Sequence, residues 1–361
     1  MEELNFDVIV VGGGPAGSSA ARMVAENGCT VALIEKEKEI AETVRTSGVT
    51  WISDIKKFGI PEDCYNSIKK FSFCSPKNSV VIEDTIAKAA VLDVRKTYKF
   101  LAKRAKDSGS QVFCSTNVSE VLQDSDGNCK GVIARSGEKQ IQFNGKVIID
   151  ASGFASVVAK ELGHVKQWKK FGVGAEFEVK TEKLEYDNWW LMVGQEYSPA
   201  GYAWIFPTSE NTARIGVGIG KPDSDVDPTV RLNELIDNKA GPIKDLGQIE
   251  KIEFHYGLIP NEGLSRKTVY HNVILVGDSA GQANPLVLEG IRYAIRFGEV
   301  AGRVASNAIK NGDTSEKELM LYEDEWKKAI LSKINSAVKV QRRWVGLTDD
   351  EWDKELNIIN E

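Results

Sequence analysis

Histidine is scarce in this chain: His164, His255 and His271 are the only three among 361 residues. They stand too far apart for a zinc-ligand spacing, so no metal is assigned. Cys29, Cys64, Cys74, Cys114 and Cys129 form an odd, scattered set without a C-x-x-C pair. That excludes a disulfide framework and fits reduced thiols. A basic excess is missing too: 46 Lys+Arg face 52 Asp+Glu, a net charge of -6, so nothing points to a nucleic-acid partner. No apolar run approaches the roughly 18 residues that span a bilayer. Internal repeats and low-complexity segments are absent. The opening Met1-Glu2-Glu3-Leu4 is acidic and lacks the basic start of a secretory signal, which leads us to expect a cytoplasmic protein. What remains is ordinary globular material, 42% apolar and 27% charged, long enough for about two domains.

The apolar pattern sets the architecture. Phe6–Val11 is a continuous apolar run, as expected of a strand buried on both faces. Helical spacing follows from Ala16 to Asn27 and closes at Gly28, before a second apolar strand at Thr30–Ile34. This βαβ opening implies a parallel sheet. Asp93–Ser108 reads as a helix; Gln111–Cys114, Ser119–Gln123, Gly131–Ala134 and Val147–Ile149 read as strands, with a hairpin turn at Asp126-Gly127. From Phe171 to Tyr256 strand alternation and aromatic residues dominate, the texture of an antiparallel sheet. Asn272–Val276 returns to a buried strand, a helix follows near Leu288, and the remainder is mostly helical, with a capping box at Thr348–Glu351.

Gly12-Gly13-Gly14-Pro15-Ala16-Gly17 is a G-x-G-x-x-G turn between a strand and a helix, and Glu35 ends the next strand eighteen residues beyond Gly17. Gly12 permits the tight turn, Gly14 lets backbone approach a pyrophosphate, and Gly17 allows close helix–strand packing. Free N–H groups and the helix dipole attract the phosphates, and Glu35 can accept hydrogen bonds from an adenosine ribose. The motif alone does not choose between FAD and NAD.

Further motifs do. Gly277-Asp278-Ser279-Ala280-Gly281 follows a strand, with Pro285 and Glu289-Gly290-Ile291 behind it; Asp150-Ala151-Ser152-Gly153 ends another. Tyr202-Ala203-Trp204-Ile205-Phe206-Pro207 is followed after eight residues by Gly216-Val217-Gly218. Together with Thr43–Gly48 and Asp93–Leu101, this set resembles the FAD-dependent geranylgeranyl reductases, a branch of the aromatic-hydroxylase-like flavoproteins. The resemblance covers nearly the whole chain. It implies an α/β (α+β overall) protein with a Rossmann-type FAD-binding domain, an inserted antiparallel-sheet substrate domain and a helical C-terminal region. The implied spans are 1–70, 91–163 and 265–310 for the FAD domain, 71–90 and 164–264 for the substrate domain, and 311–361 for the C-terminal helices.

The resemblance also implies site residues. FAD contacts would come from Gly12, Gly14, Ala16 and Gly17, from Glu35 and Lys36, and from Arg45, Thr46 and Gly48 on a flavin-contacting loop. Arg95 would reach the cofactor from the start of the long helix, and Val118 would lie near the adenine. Gly277 and Asp278 would hold the ribityl chain, and Gly290 and Ile291 the pyrimidine end of the flavin. Thr46 stands where many relatives have Cys, Val287-Leu288 replaces a frequent Thr-Gly, and Ala159 lies where aromatic hydroxylases have Arg.

Strand alternation puts Tyr202, Trp204 and Phe206 on one face. With Pro207, Gly216 and Gly218 they match the family's substrate signature, and an aromatic wall beside side-chain-free glycines suits a bulky apolar alkene. The implied reaction is hydride transfer from reduced flavin to a prenyl double bond with protonation of the other carbon. Electrons would come from an external donor: ferredoxin, NAD(P)H or a deazaflavin. No catalytic acid can be named beyond Tyr202, a phenol able to donate. The alternatives are a flavin monooxygenase or halogenase, an electron carrier to quinone, and a non-redox flavin cyclase. A prenyl-lipid substrate requires at least peripheral contact with a membrane. Trp326, Trp344 and Trp352 with Lys327, Lys328, Arg342 and Arg343 are either an interfacial patch or ordinary helix packing. A monomer is compatible with the sequence.

Overall fold

A computed structural model describes residues 2–360. The chain forms two compact units. One runs to Thr43 and takes in Tyr98–Trp168 and Glu262–Ala337; the other comprises Val44–Thr97, Lys169–Asn261 and the residues from Val338 on.

The first unit is built on a mixed sheet whose parallel core follows from the apolar runs. Strand Glu2–Val11 lies between Lys139–Asp150 and Val31–Ile34, both parallel to it, and Val273–Leu275 and Gln111–Phe113 continue the ladder on either side. Val8 and Val10 pack into one fully buried cluster, while Ile9 and Val11 enter the cluster on the opposite face. This is the two-sided burial that a continuous apolar strand requires. The register pairs Val11 with both Ile34 and Asp150, and Asp150 with Leu275. The carboxyl ends of four parallel strands therefore finish level, and the turns carrying Gly12, Glu35, Ala151 and Gly277 emerge along one edge of the sheet. Ligands of open α/β sheets bind at such an edge. Cys129–Ser136 pairs antiparallel with Lys139–Asp150 and with Asn117–Gln123. Helix Ile291–Lys310 begins three residues after Leu288.

The second unit is a seven-stranded sheet in the order Ile249–Pro260, Phe171–Thr181, Thr212–Lys221, Gly201–Pro207, Asn188–Met192, Lys70–Cys74, Ser79–Glu83. All neighbours are antiparallel except Asn188–Met192 with Lys70–Cys74. On one face Ala203, Ile205, Ile215, Val217 and Ile219 pack with Leu232, Leu235 and Ile236 of helix Pro228–Asp237. Asp227 caps that helix by accepting from the N–H groups of Thr229 and Val230. On the other face Trp189, Trp204 and Phe206 pack with Ile68, Ala89 and Val91. These last three belong to a small sheet of Val49–Trp51, Ala89–Leu92 and Tyr65–Ile68.

These spans differ from those drawn on the sequence. Residues 44–70 belong to the second unit because their strands hydrogen-bond to Ala89–Leu92 and Asn188–Met192. The C-terminal helices form no third body. Leu319, Tyr322, Trp326, Ile330 and Ile334 complete the core of the first unit, and Trp352 and Leu356 pack with Val80 and Val193 in the second. For Trp326 and Trp352 the packing alternative holds. Trp326 is fully buried, its indole N–H donating to Thr268 Oγ1 at 2.9 Å, and Trp352 is buried edge-on to Trp344 with ring centroids 5.2 Å apart. The capping box forms as the sequence predicts: Thr348 N–H donates to Glu351 at 2.8 Å.

Candidate functional site

In the first unit the glycine turn meets three separate demands. Gly12 sits at φ +105°, and a Cβ there would stand 2.3 Å from the Ala151 carbonyl oxygen. A Cβ on Gly17 would stand 1.9 Å from the Gly12 carbonyl oxygen. Gly14 is different: nothing lies within 4 Å of the position its Cβ would take. Gly14 is also the N-cap of helix Pro15–Glu26, which has no side-chain cap and no acid in its first turn, so Ala16 and Gly17 present an undamped helix terminus to that open space. Glu35 holds the turn from the next strand. Its Oε2 accepts from Gly13 N–H at 2.7 Å and its Oε1 from Glu37 N–H at 2.9 Å. A carboxylate has about four lone-pair sites, so each oxygen keeps one for a further donor. Lys36 beside it is exposed. Thr116 N–H donates to the Glu35 carbonyl at 2.9 Å, which brings Val118, at the start of its strand, close to the same edge.

Asp150, fully buried, ties the remaining turns together. It accepts from Ser152 N–H at 3.1 Å, Ala159 N–H at 2.9 Å and Ser279 Oγ at 3.3 Å. Gly277 turns at φ +67° and donates its N–H to Gln282 Oε1 at 3.0 Å. Asp278 next to it is partly buried, and its carboxylate makes no hydrogen bond or ion pair among the described residues. Desolvation without a compensating partner pushes its carboxyl up to about 6. Gly290 is the N-cap of helix Ile291–Lys310. Leu288 carries φ +50°, the left-handed conformation a glycine takes without penalty, so the loop keeps a glycine-type turn despite its Leu. The open space at Gly14, the uncapped helix and the unpartnered acid of Asp278 are the features a dinucleotide with a polyhydroxyl chain would satisfy.

In the second unit the sheet register builds a second constellation. Trp204 is paired with Gly216, Gly216 with Glu176, and Glu176 with His255, across four adjacent strands on one face. The Trp204 indole lies over Gly216, where a Cβ would be 2.3 Å from the ring, and reaches towards Gly218, where it would be 3.3 Å away. Gly216 thus leaves room for Trp204 itself and not for a ligand, a correction to the expectation for that position. The adjoining row on the same face is Tyr202, Gly218, Gly174, Gly257. Three successive glycines leave this row floored by backbone alone. Over Gly174 the Trp204 ring edge, at 3.7 Å, is the nearest side chain. Tyr202 is half-buried with its ring 5.7 Å from Trp204, and Phe206 stacks on Trp204 at 5.8 Å and 14°. Pro207 ends the strand, its carbonyl accepting from Asn66 at 3.0 Å.

The row on the other side of Trp204 is polar: Phe206, Arg214, Glu178, Glu253. Arg214 donates to the carbonyls of Ser47 at 2.8 Å and Leu92 at 3.0 Å, fixing the loop that carries Arg45, Thr46 and Gly48. The Arg45 backbone lies so close to Gly257 that a Cβ there would be 2.2 Å from its carbonyl oxygen. That loop therefore closes the end of the glycine row. Arg95 forms a two-point ion pair with Glu253, at 2.8 and 2.5 Å, and the guanidinium holds the Glu253 carboxyl down at about 2. Glu176 is almost completely buried and accepts from Trp204 Nε1 at 3.1 Å and from His255 Nδ1 at 3.0 Å. Burial raises the affinity of Glu176 for a proton, yet its hydrogen bonds and Arg214 hold it below the ordinary carboxylate range. Gly174, Glu176 and Gly257 were not singled out in the sequence, and His255 was weighed there only as a metal ligand. The only trace there is a G-x-E on one strand and an H-x-G on another, 79 residues apart between Glu176 and His255.

Comparison with known proteins bears on the whole chain. Residues 7–164 match the family model for FAD dependent oxidoreductase, and residues 172–259 that for geranylgeranyl reductase catalytic domain. The digeranylgeranylglycerophospholipid reductase of Methanocaldococcus jannaschii is 36% identical, the match covering 100% of this chain and 93% of the relative. A solved structure of a geranylgeranyl bacteriochlorophyll reductase-like protein from Thermoplasma acidophilum superposes with a TM-score of 0.92 at 26% identity, over 99% of this chain and 92% of that one. A flavin-dependent brominase shares the fold at a TM-score of 0.71 and 18% identity, over 99% of this chain and 94% of that one. The chain belongs to the geranylgeranyl reductase family of FAD-dependent oxidoreductases.

Proposed function

We propose that this enzyme saturates carbon–carbon double bonds in the geranylgeranyl chains of glycerophospholipids. The observation that carries the reading is the backbone-floored row Gly218–Gly174–Gly257, walled by Trp204 and Tyr202 and closed by the Arg45 loop. A glycine-floored strip edged by an aromatic wall suits a methyl-branched prenyl chain, since each buried CH₂ contributes about 0.8 kcal/mol. Bound FAD supplies the hydride once reduced by an external electron donor. Gly12, Gly14, Ala16, Gly17, Glu35 and Lys36 would hold its adenosine and pyrophosphate, with Val118 beside the adenine. Gly277, Asp278, Gly290 and Ile291 would hold the ribityl chain and the flavin ring. The family resemblance adds Arg45, Thr46, Gly48 and Arg95 to the residues that would contact the cofactor.

No helix of the described residues is long and apolar enough to cross a membrane. For a cytoplasmic enzyme working on a lipid, we place peripheral bilayer contact at the edge strand Ile249–Pro260. There Ile252, Phe254, Tyr256 and Leu258 alternate outward and are 38–54% exposed, a contiguous apolar ladder of the kind that marks interaction surfaces. The test is product analysis after reacting FAD-loaded, dithionite-reduced enzyme with a digeranylgeranyl glycerophospholipid, without oxygen and in air. Prenyl saturation without oxygen supports the reductase. Oxygen-dependent hydroxylation or halogenation, or reduction of a quinone head with its tail untouched, would replace it.

A further inference from the structure

Saturating an isolated alkene takes a proton as well as a hydride, and a trisubstituted alkene accepts hydride poorly unless the proton arrives with it or before it. If the glycine-floored strip holds the prenyl chain, as proposed above, the donor must come from the titratable groups on that face. Strand Phe171–Thr181 contributes Glu176 and Glu178, Thr212–Lys221 contributes Arg214, Ile249–Pro260 contributes Glu253 and His255, and Gly201–Pro207 contributes Tyr202. Arg95 reaches the same cluster from helix Val94–Asp107.

Most of these are poor donors. Guanidiniums do not give up protons. Glu253 is held ionised by Arg95, and Glu178 faces Arg214 Nε at 3.6 Å. A phenol is a weak acid. An imidazole can both hold and release a proton, and His255 stands between two carboxylates. Its Nδ1 is 3.0 Å from Glu176 Oε1, and its buried Nε2 is 3.4 Å from Glu253 Oε2, without hydrogen-bond alignment. Two carboxylate oxygens facing the two ring nitrogens are satisfied when both nitrogens carry hydrogen.

We propose that His255 stores the proton of the reduction and that Glu176 delivers it to the double bond. Glu176 belongs to the strand that also supplies Gly174. Residues two apart on one strand face are separated by about 7 Å, a distance that a glutamate side chain and a bound alkene close together. Glu176, which its hydrogen bonds and Arg214 otherwise hold as the carboxylate, becomes the carboxylic acid only as the proton passes to it from His255 Nδ1. The alkene π pair then forms a C–H bond with that proton while the O–H bond breaks, and the hydride of the established reaction, with its electron pair, forms the second C–H bond. His255 is left neutral and regains a proton from solvent.

The experiment compares wild type, H255Q, E176Q and Y202F as FAD-loaded, dithionite-reduced enzyme, following prenyl saturation against pH. The wild-type rate should fall as pH rises. H255Q and E176Q should lose that limb and about a hundredfold or more in rate, with FAD affinity unchanged. E176Q keeps an acceptor for Trp204 and serves if H255Q does not fold. A second readout needs no turnover. In ¹⁵N-tryptophan-labelled protein the Trp204 indole N–H, assigned with W204F, should move with pH in wild type and stay still in H255Q. Retention of rate and limb by H255Q and E176Q would overturn the proposal, as would loss of the limb in Y202F alone or an indole indifferent to His255. Failure of the reductase reading looks different: wild type itself would leave prenyl chains unreduced, and the proposal would fall with it.

Discussion

The three glycines of the first turn do different things, so alanine at each should fail differently. At Gly12 the new Cβ meets backbone at 2.3 Å in a positive-φ conformation, so G12A should melt well below wild type by circular dichroism. At Gly14 φ is -66° and the space is open. G14A should keep the wild-type melting temperature yet bind FAD at least tenfold more weakly in a fluorescence titration, because the methyl enters the space proposed for the pyrophosphate. Asp278 gives a pH signature. Its folded-state value of about 6 lies above the ordinary 3.8. The folded apoprotein therefore retains a proton that the unfolded chain releases, and stability falls as pH rises from about 4 through 6. D278N should raise the apoprotein melting temperature at about pH 8 and leave it unchanged below about pH 4. It should also weaken FAD binding, since a charged hydrogen bond is worth roughly 1.5–3 kcal/mol. The glycine turn and Glu35 were legible in the sequence because the strand, turn and helix signals that place them follow one another along one stretch of chain. The partner of Arg95 was not: Glu253 lies 158 residues away, and only the tertiary fold brings the start of helix Val94–Asp107 to that strand.

At the scale of the element, strand Gly201–Pro207 shows what alternation can and cannot tell. It placed Tyr202, Trp204 and Phe206 on one face, and the ring contacts agree. It could not say which glycine lies under the indole, because that depends on pairing with Thr212–Lys221. Two substitutions separate the roles. G216A drives a methyl into a buried ring at 2.3 Å, whereas at Gly174 the nearest side-chain atom is 3.7 Å from the new methyl. G216A should lower the melting temperature and displace Trp204, read as a changed indole N–H resonance. G174A should fold and bind FAD normally but raise KM for the prenyl lipid several-fold. Equal effects of the two on stability would contradict a distinct glycine-floored strip. The polar row beside Trp204 was invisible in the sequence for the same reason, its members coming from four separate stretches of chain.

For the whole molecule, the fold class followed from a βαβ opening and a later antiparallel texture, because both are period signals carried by contiguous residues. The division into units did not, since residues 44–70 carry no period that says which sheet their strands will join. Nor did the burial of Trp326 and Trp352. A tryptophan beside lysines looks the same in sequence whether it packs inward or faces a bilayer. The apolar ladder at Ile252, Phe254, Tyr256 and Leu258 is where the molecule should meet its lipid. Y256S/L258S should lose sedimentation with lipid vesicles while reducing detergent-dispersed substrate at the wild-type rate. The central claim, a flavin enzyme that saturates prenyl chains laid on a glycine floor, is tested most directly by mass spectrometry. The sample is a digeranylgeranyl glycerophospholipid incubated anaerobically with FAD-loaded, dithionite-reduced enzyme. The account predicts mass gains in steps of two hydrogens per double bond, all within the prenyl chains and strongly diminished in G174A. An unchanged lipid after incubation with flavin-loaded, folded enzyme would contradict it.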